Sequence, residues 1–402
     1  MKLAIIDNTA RYTIHFGSAV SNQLQKNGLG TTLLYFPKTG VFGGLLRRRI
    51  CLSNSNAFWS SFLYPFQICR KAKADKIEIA HIQLEINTFG HPITLALFPL
   101  LLIGLGASKI NKVITLHGTF PRFLLLSSAP QTIVRNIFSR IFFLGFFTLF
   151  YKITKCFSSR LIVHSSIFKD WLTDYGINAE KIVVIPHGIV ANPINCDETQ
   201  LAYWAKKTAG KRVILCFGVL SPRKGLENLI RAFELVYKEH PDTILILSGD
   251  EPVYFSGYKE KLRSLSKELN IDKNVLFAGH IPEKDIGPLF EVAKVVVLPY
   301  SYSISASGPL SIALQYSKPI VATDTVFFRS ELTNNENCLL SKSGSFISLS
   351  NNINTILASE TLRNQLSNGA RALALKNSWE KVASMTIDLY QKLQCKKSVC
   401  YS

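Results

Sequence analysis

Short, largely apolar runs recur along the chain, and most are followed by a segment with helical spacing. Leu3–Ile6, TTLLYF, IEIAHIQLE, KVITLHG, SRLIVHS and KIVVIPHGI occupy the first half; VILCFG, TILILSG, VLFAG, VVVLPY and IVATD occupy the second. Runs rich in β-branched residues and this short belong to strands covered on both faces, and their alternation with helices builds parallel sheets through βαβ units. Leu226, Leu229, Ile230, Phe233 and Val236 give the first helix of the second half an apolar stripe. Between the two series the composition turns polar through ANPINCDETQ, where an inter-domain linker is expected. The expected fold class is therefore α/β, with two doubly wound Rossmann-like domains facing each other across a cleft. We place the first over residues 1–190 and the second over 205–375. A helix over 376–395 begins at Trp379 and returns toward the first, ahead of a loose basic tail at Lys396 and Lys397.

The densest local signal is VVVLPYSYSISASGPLSIALQYSKPIVATD, Val295 to Asp324: strand, polar turn, short helix, strand. Pro299 stops the strand. Pro309 suits the first helical turn, where its missing N–H leaves no bond unmade, with Ser307 or Gly308 as the cap. Free amides at such a helix start, on the carboxyl edge of a parallel sheet, form a seat for a phosphate. A second turn, GVLSPRKG (Gly218 to Gly225), also follows a strand and precedes a helix, and it carries Arg223 and Lys224. Cations there and hydroxyls and amides at Ser305–Leu310 can converge on one diphosphate, each charged hydrogen bond contributing about 1.5–3 kcal/mol. His117 ends a strand and is followed by Gly118, a position where ligand-facing residues collect, and Gly17 lies in the turn after the first strand.

Charge is uneven. The chain has 402 residues and a formal net charge of +19, and residues 1–190 hold 21 Lys+Arg against 7 Asp+Glu. No acid occurs between Glu85 and Asp170. Two apolar runs, Leu95–Ala107 and Ile141–Tyr151, lie inside that interval; both are shorter than the roughly 20 residues of a spanning helix. Core helices of the domain, or a span or hairpin, are the alternatives, but phenylalanine beside isolated Lys and Arg favours an interfacial site on an anionic membrane. Nucleic acid is disfavoured as a partner, because the basic residues sit among aliphatic runs with no recognisable nucleic-acid module. The three arginines Arg47–Arg49 suit a solvated turn or a phosphate contact. The eight cysteines show no pairing pattern and no C-x-x-C, which predicts reduced thiols and a cytoplasmic protein, peripheral on the inner membrane face. No metal-ligand spacing is seen among the histidines.

The motifs TLHG, IPHG, GVLSPRKG, VLFAGHIPEKDI and ASGPLSIALQYSKPIVATD followed by Glu331 resemble the family 4 retaining glycosyltransferases of GT-B architecture. The resemblance covers nearly the whole chain. It implies a hexose transferred from a UDP- or GDP-linked sugar, without metal or other cofactor, to a glycan or lipid-linked acceptor, as in polysaccharide or glycolipid biosynthesis. By the same resemblance Arg223 and Lys224 neutralise the leaving diphosphate, helped by the amides at Gly308, Pro309 and Leu310 beside Ser305 and Ser307. Gly279, His280 and Ile281 lie against the base, Gly17 approaches the phosphates, and His117 touches the sugar. Glu85, the acid entering the basic stretch, is an acceptor-side candidate or a structural ion-pair partner. Two features depart from the family pattern: Ile304 and Ile312 stand where most members have glutamates, and Val219 stands where many have arginine. A subgroup with an S-x-S-G turn shares the first departure. A catalytically silent transferase-like subunit and a nucleotide-sugar epimerase of the same fold are the competing readings.

Overall fold

The computed structural model describes residues 2–7, 14–35, 55–85, 96–126, 137–191 and 197–399. Arg47–Arg49, Arg135, Leu95, residues 192–196 of the linker stretch, and Cys51, Cys196 and Cys400 lie outside the described residues. The chain forms two compact units: residues 1–188 with 304–306 and 379–402, and residues 189–303 with 307–378.

The first unit carries a six-stranded parallel sheet in the order β2-β1-β3-β4-β5-β6: β1 Leu3–Asp7, β2 Thr31–Tyr35, β3 Ile79–Leu84, β4 Asn111–Leu116, β5 Arg160–Val163 and β6 Ile182–Val184. Residues alternate between faces, so Leu3, Ile5, Ile79, Val113 and Ile162 form one buried layer. Val20 and Leu24 of the helix Ile14–Lys26 cover it, together with Val382, Leu389, Tyr390 and Leu393 of the C-terminal helix Trp379–Val399. The helices Ser55–Ala74, Phe98–Ala107 and Ile137–Phe157 pack side by side.

The second unit repeats the plan with the order β12-β11-β10-β7-β8-β9: β7 Arg212–Phe217, β8 Thr243–Ser248, β9 Val275–Gly279, β10 Ala293–Leu298, β11 Ile320–Thr323 and β12 Leu339–Ser341, all parallel. The apolar stripe of the helix Leu226–Glu239 is buried as its spacing predicts, against Ile214, Leu245, Val295 and Val297.

Four expectations need correction. Gly17 is the fourth residue of Ile14–Lys26, not part of a preceding turn. The second sheet has a sixth strand, Leu339–Ser341, only three residues long and without a periodicity to betray it. The polar stretch read as linker ends in a helix, Glu198–Lys207, because Asp197 accepts from the Thr199 and Gln200 amides and caps it. The tail at Lys396–Lys397 continues the C-terminal helix to Val399.

Candidate active site

In the second unit the predicted site residues gather on the carboxyl edge of the sheet. Strand β7 gives way at Gly218 to a short 3-10 turn, Pro222–Lys224, and Gly225 then starts the long helix with φ +64°. A Cβ at Gly225 would strike the Pro299 carbonyl, so only glycine fits this close approach. The turn holds Lys224 inward. Its side chain is only 4% exposed, its Nζ lies 3.3 Å from the Phe217 carbonyl oxygen, and the ammonium stands 5.1 Å from the centre of the Tyr300 ring. The Arg223 guanidinium sits over the same ring at 5.9 Å, and the Arg223 carbonyl accepts from the Ser301 amide.

Tyr300 links the cations to the serine turn, its hydroxyl lying 3.2 Å from Ser307 Oγ. Ser307 caps the helix Gly308–Gln315 by accepting from the Leu310 amide. That assignment changes the inventory of donors. Pro309 has no N–H and Leu310 has committed its own, so of the three amides expected to hold phosphate only that of Gly308 is left. Lys224 and Pro309 both border Gly218: a Cβ there would stand 2.5 Å from Lys224 Nζ and 3.0 Å from Pro309 Cγ. The cationic turn and the helix start thus face the same point.

Three neighbouring strands end in glycine with positive φ: Gly218 (+108°), Gly249 (+115°) and Gly279 (+66°). The Gly249 amide donates to the Gly279 carbonyl at 2.6 Å, and a Cβ on Gly249 would run into the Gly218 carbonyl. No Cβ stands at these three positions, and the Asp250 carboxylate lies 3.6 Å from where a Gly279 Cβ would be. His280 is exposed beside it and Ile281 is buried. The Ser221 and Ser248 hydroxyls are buried here without a partner among the described residues. Sequence reasoning missed Tyr300, Gly249 and both serines. The repeated glycine after β7, β8 and β9, in CFG, LSG and FAG, is the signal that could have found the second.

The first unit holds the remaining candidates. His117 follows β4 and is 6% exposed. Its Nε2 lies 2.9 Å from the Gln83 carboxamide and its Nδ1 3.1 Å from His164 Nε2. Burial first, then the neighbouring His164, His187 and His81, hold its pKa well below the usual histidine range. Burial likewise pushes His164 and His81 down to about 3 and His187 to about 4. Residues 304–306 belong to this unit. The Thr119 amide donates to the Ile304 carbonyl at 2.9 Å, the Ala306 amide to the His117 carbonyl at 3.2 Å, and Ser305 bridges Gly118. Ser305 is therefore grouped with His117, whereas Ser307 is grouped with Lys224. Glu85 comes into the same neighbourhood, its carboxylate 3.6 Å from where a Gly118 Cβ would be. Gly17 lies within the helix Ile14–Lys26.

A pair of six-stranded parallel α/β units, with cation, hydroxyl and glycine turns on the carboxyl edge of the second, is the architecture of GT-B structures. The chain belongs to the family 4 glycosyltransferases: residues 19–192 match the family described as Glycosyltransferase Family 4, and residues 204–373 match Glycosyl transferases group 1. It is 24% identical over 305 residues to the MMP alpha-(1->4)-mannosyltransferase of Mycolicibacterium hassiacum, covering 74% of this chain and 70% of that one. It is 27% identical over 168 residues to the alpha-monoglucosyldiacylglycerol synthase of Streptococcus pneumoniae, 40% of this chain and 35% of that one. Among solved structures, Anabaena HepE in complex with UDP-glucose superposes with a TM-score of 0.72 at 18% identity, covering 98% of this chain and all of the other.

Proposed function

We propose that the protein moves a hexose from a nucleotide-diphosphate sugar to a glycan or lipid-linked acceptor, with retention of anomeric configuration and without a metal. The observation that carries the reading is the buried Lys224 ammonium, which shares the surroundings of Gly218 with the start of the helix Gly308–Gln315. A cation held inside a fold is costly unless something anionic meets it. A leaving diphosphate is such a group. Negative charge grows on it as the glycosidic bond breaks, and a fixed ammonium with the Gly308 amide and the Arg223 guanidinium stabilises that charge without rearrangement. The glycine edge at Gly218, Gly249 and Gly279 gives backbone-close seating for a flat base and ribose. These donors replace a metal in the proposed chemistry, in keeping with the absence of an Asp-x-Asp pair from the sequence.

UDP-glucose in the HepE complex and the lipid product named for the pneumococcal relative support a nucleotide-sugar donor and a glycan or lipid acceptor. The acceptor side fits a membrane surface. Phe62, Leu63 and Phe66 of one helix, Leu100 and Ile103 of the next and Ile141, Phe142 and Leu149 of the third are exposed, up to 66% at Phe142. Arg70, Lys71 and Lys73 continue the first helix and Lys152 the third. No helix among the described residues is long and apolar enough to cross a membrane. Peripheral binding to the anionic cytoplasmic leaflet is the arrangement this surface suits. Incubation with a panel of UDP- and GDP-sugars and lipid-linked acceptors, with the product's anomeric configuration read by NMR, tests the reading. Retained configuration is expected; inversion, or no diphosphate release from any donor, contradicts it. Isoleucines at 304 and 312, where most family members carry acids, favour a silent binding subunit as the alternative. Donor turnover by the purified chain excludes that.

A further inference from the structure

On the face of the first sheet covered by the C-terminal helix, β3, β4 and β5 begin apolar and turn polar toward their carboxyl ends. Ile79 is followed on that face by His81 and Gln83, Val113 by Thr115 and His117, and Ile162 by His164. All five polar side chains are buried. They form one chain of contacts. The Tyr390 hydroxyl is 2.6 Å from His81 Nδ1, and His81 Nε2 is 2.7 Å from Thr115 Oγ1 and 3.2 Å from Gln83 Nε2. Gln83 Oε1 is 2.9 Å from His117 Nε2, His117 Nδ1 is 3.1 Å from His164 Nε2, and His164 Nδ1 is 3.0 Å from the Ile185 carbonyl oxygen.

Proton accounting gives this chain a direction. A carbonyl only accepts, so His164 carries its proton on Nδ1. In a neutral ring Nε2 is then bare, and the proton in its contact with His117 belongs to His117 Nδ1. His117 Nε2 must in turn accept, which a carboxamide satisfies only with its NH2. The two ends of a carboxamide interchange by a half-turn, so the orientation is fixed by its partners. In the orientation above, with the oxygen toward His117, either His117 or His164 would have to carry a proton on both nitrogens, as a buried cation. The amide nitrogen toward His117 leaves the oxygen for His81 Nε2–H, and the bare His81 Nδ1 accepts from Tyr390. Every member is then satisfied with no charge inside the fold.

We propose that Tyr390, His81, Gln83 and His164 are positioning residues for His117, a directed relay from the Tyr390 hydroxyl to the Ile185 carbonyl that holds the ring neutral as its Nδ1–H tautomer. The proposal deepens the reading of His117 as a sugar-side residue and rests on it for its kinetic consequence alone. With both nitrogens engaged, the His117 ring neither takes the acceptor's proton nor supplies one. It presents a fixed ring edge and holds the His117–Thr119 backbone in place, with the Glu85 carboxylate as the nearest charged group beside Gly118.

Two arms test it on the full chain. In ring-15N-labelled protein, assigned by single histidine substitutions, long-range 1H–15N correlation is expected to show His117 as Nδ1–H and unchanged from pH 6 to 8. Gln83→Glu, which can only accept once its carboxyl is ionised as read by its 13C shift, is then expected to force a proton onto His117 Nε2. An Nε2–H parent, a titrating parent, or a Gln83→Glu spectrum identical to the parent's overturns the relay. In the second arm, folded Gln83→Leu is expected to lower transfer turnover about tenfold with donor KM within about twofold. Parental turnover overturns the positioning role. Should the parent transfer no sugar, the spectroscopic arm still decides the relay, so the two failures are distinguishable.

Discussion

The carboxyl edge of the second sheet ends in an ammonium, a guanidinium, hydroxyls and three left-handed glycines, whereas that of the first ends in neutral imidazoles bonded to one another. The sheets are built alike, six parallel strands with helices between them, so the difference lies in what each strand end presents. Lys224 is a buried donor whose ammonium borders Gly218, where no Cβ stands. His117, buried to a similar degree, has both nitrogens already engaged. On the proposed reading one edge receives an anion and the other holds a shape.

The largest effect expected from this contrast is at Lys224. Replacing it with alanine should lower transfer by about 100-fold to 1000-fold, as loss of one fixed donor to a developing negative charge does elsewhere, with the far-ultraviolet spectrum unchanged. The same contrast predicts opposite behaviour in acid. The four histidines His81, His117, His164 and His187 are held neutral in the fold, but they bind protons near pH 6.5 when unfolded. The unfolded state therefore gains protons first. Stability is intact above about pH 6.5 and falls as pH drops toward 4, by about 1.4 kcal/mol per pH unit for each such ring. Denaturant melts from pH 7.5 to 4.5 should show this, and His164→Gln should flatten the slope.

Smaller effects refine the second edge. Gly218→Ala places a methyl against Lys224 in a backbone region side chains resist, with an expected stability loss of about 1–3 kcal/mol and weaker donor binding by calorimetry. Ser307→Ala removes the cap of a short helix and should lower stability by about 1 kcal/mol. It also frees the Leu310 amide, so donor affinity should fall less than stability alone suggests.

Much of the second edge was legible because its parts are local. A strand, a Ser-Pro-Arg-Lys-Gly turn and a helix lie within a few residues of one another, and the turn chemistry at Pro309 and Gly225 is intrinsic to those residues. The first edge was not. Its relay joins positions 83, 117, 164 and 390, and nothing in a periodicity marks Gln83 or Tyr390 as anything but strand and helix residues. Strand β12 escaped because three residues carry no pattern, and Gly17 because a glycine near a strand end reads as a turn until the helix around it is seen. The apolar helices fell between two readings for a physical reason. Each buries one face, as at Phe98, Leu101, Phe147 and Tyr151, and exposes another, as at Leu100, Ile103, Phe142 and Leu149.

On the proposed reading a nucleoside diphosphate binds the second unit through Lys224. Thermal unfolding of the parent and of Lys224→Ala, each with UDP and GDP at about 100 times the parent's dissociation constant, measures it directly. The account predicts a gain of about 2.7 kcal/mol for the parent with one of the two nucleotides and little or none for the variant. Equal stabilisation of both proteins, or of neither, contradicts it.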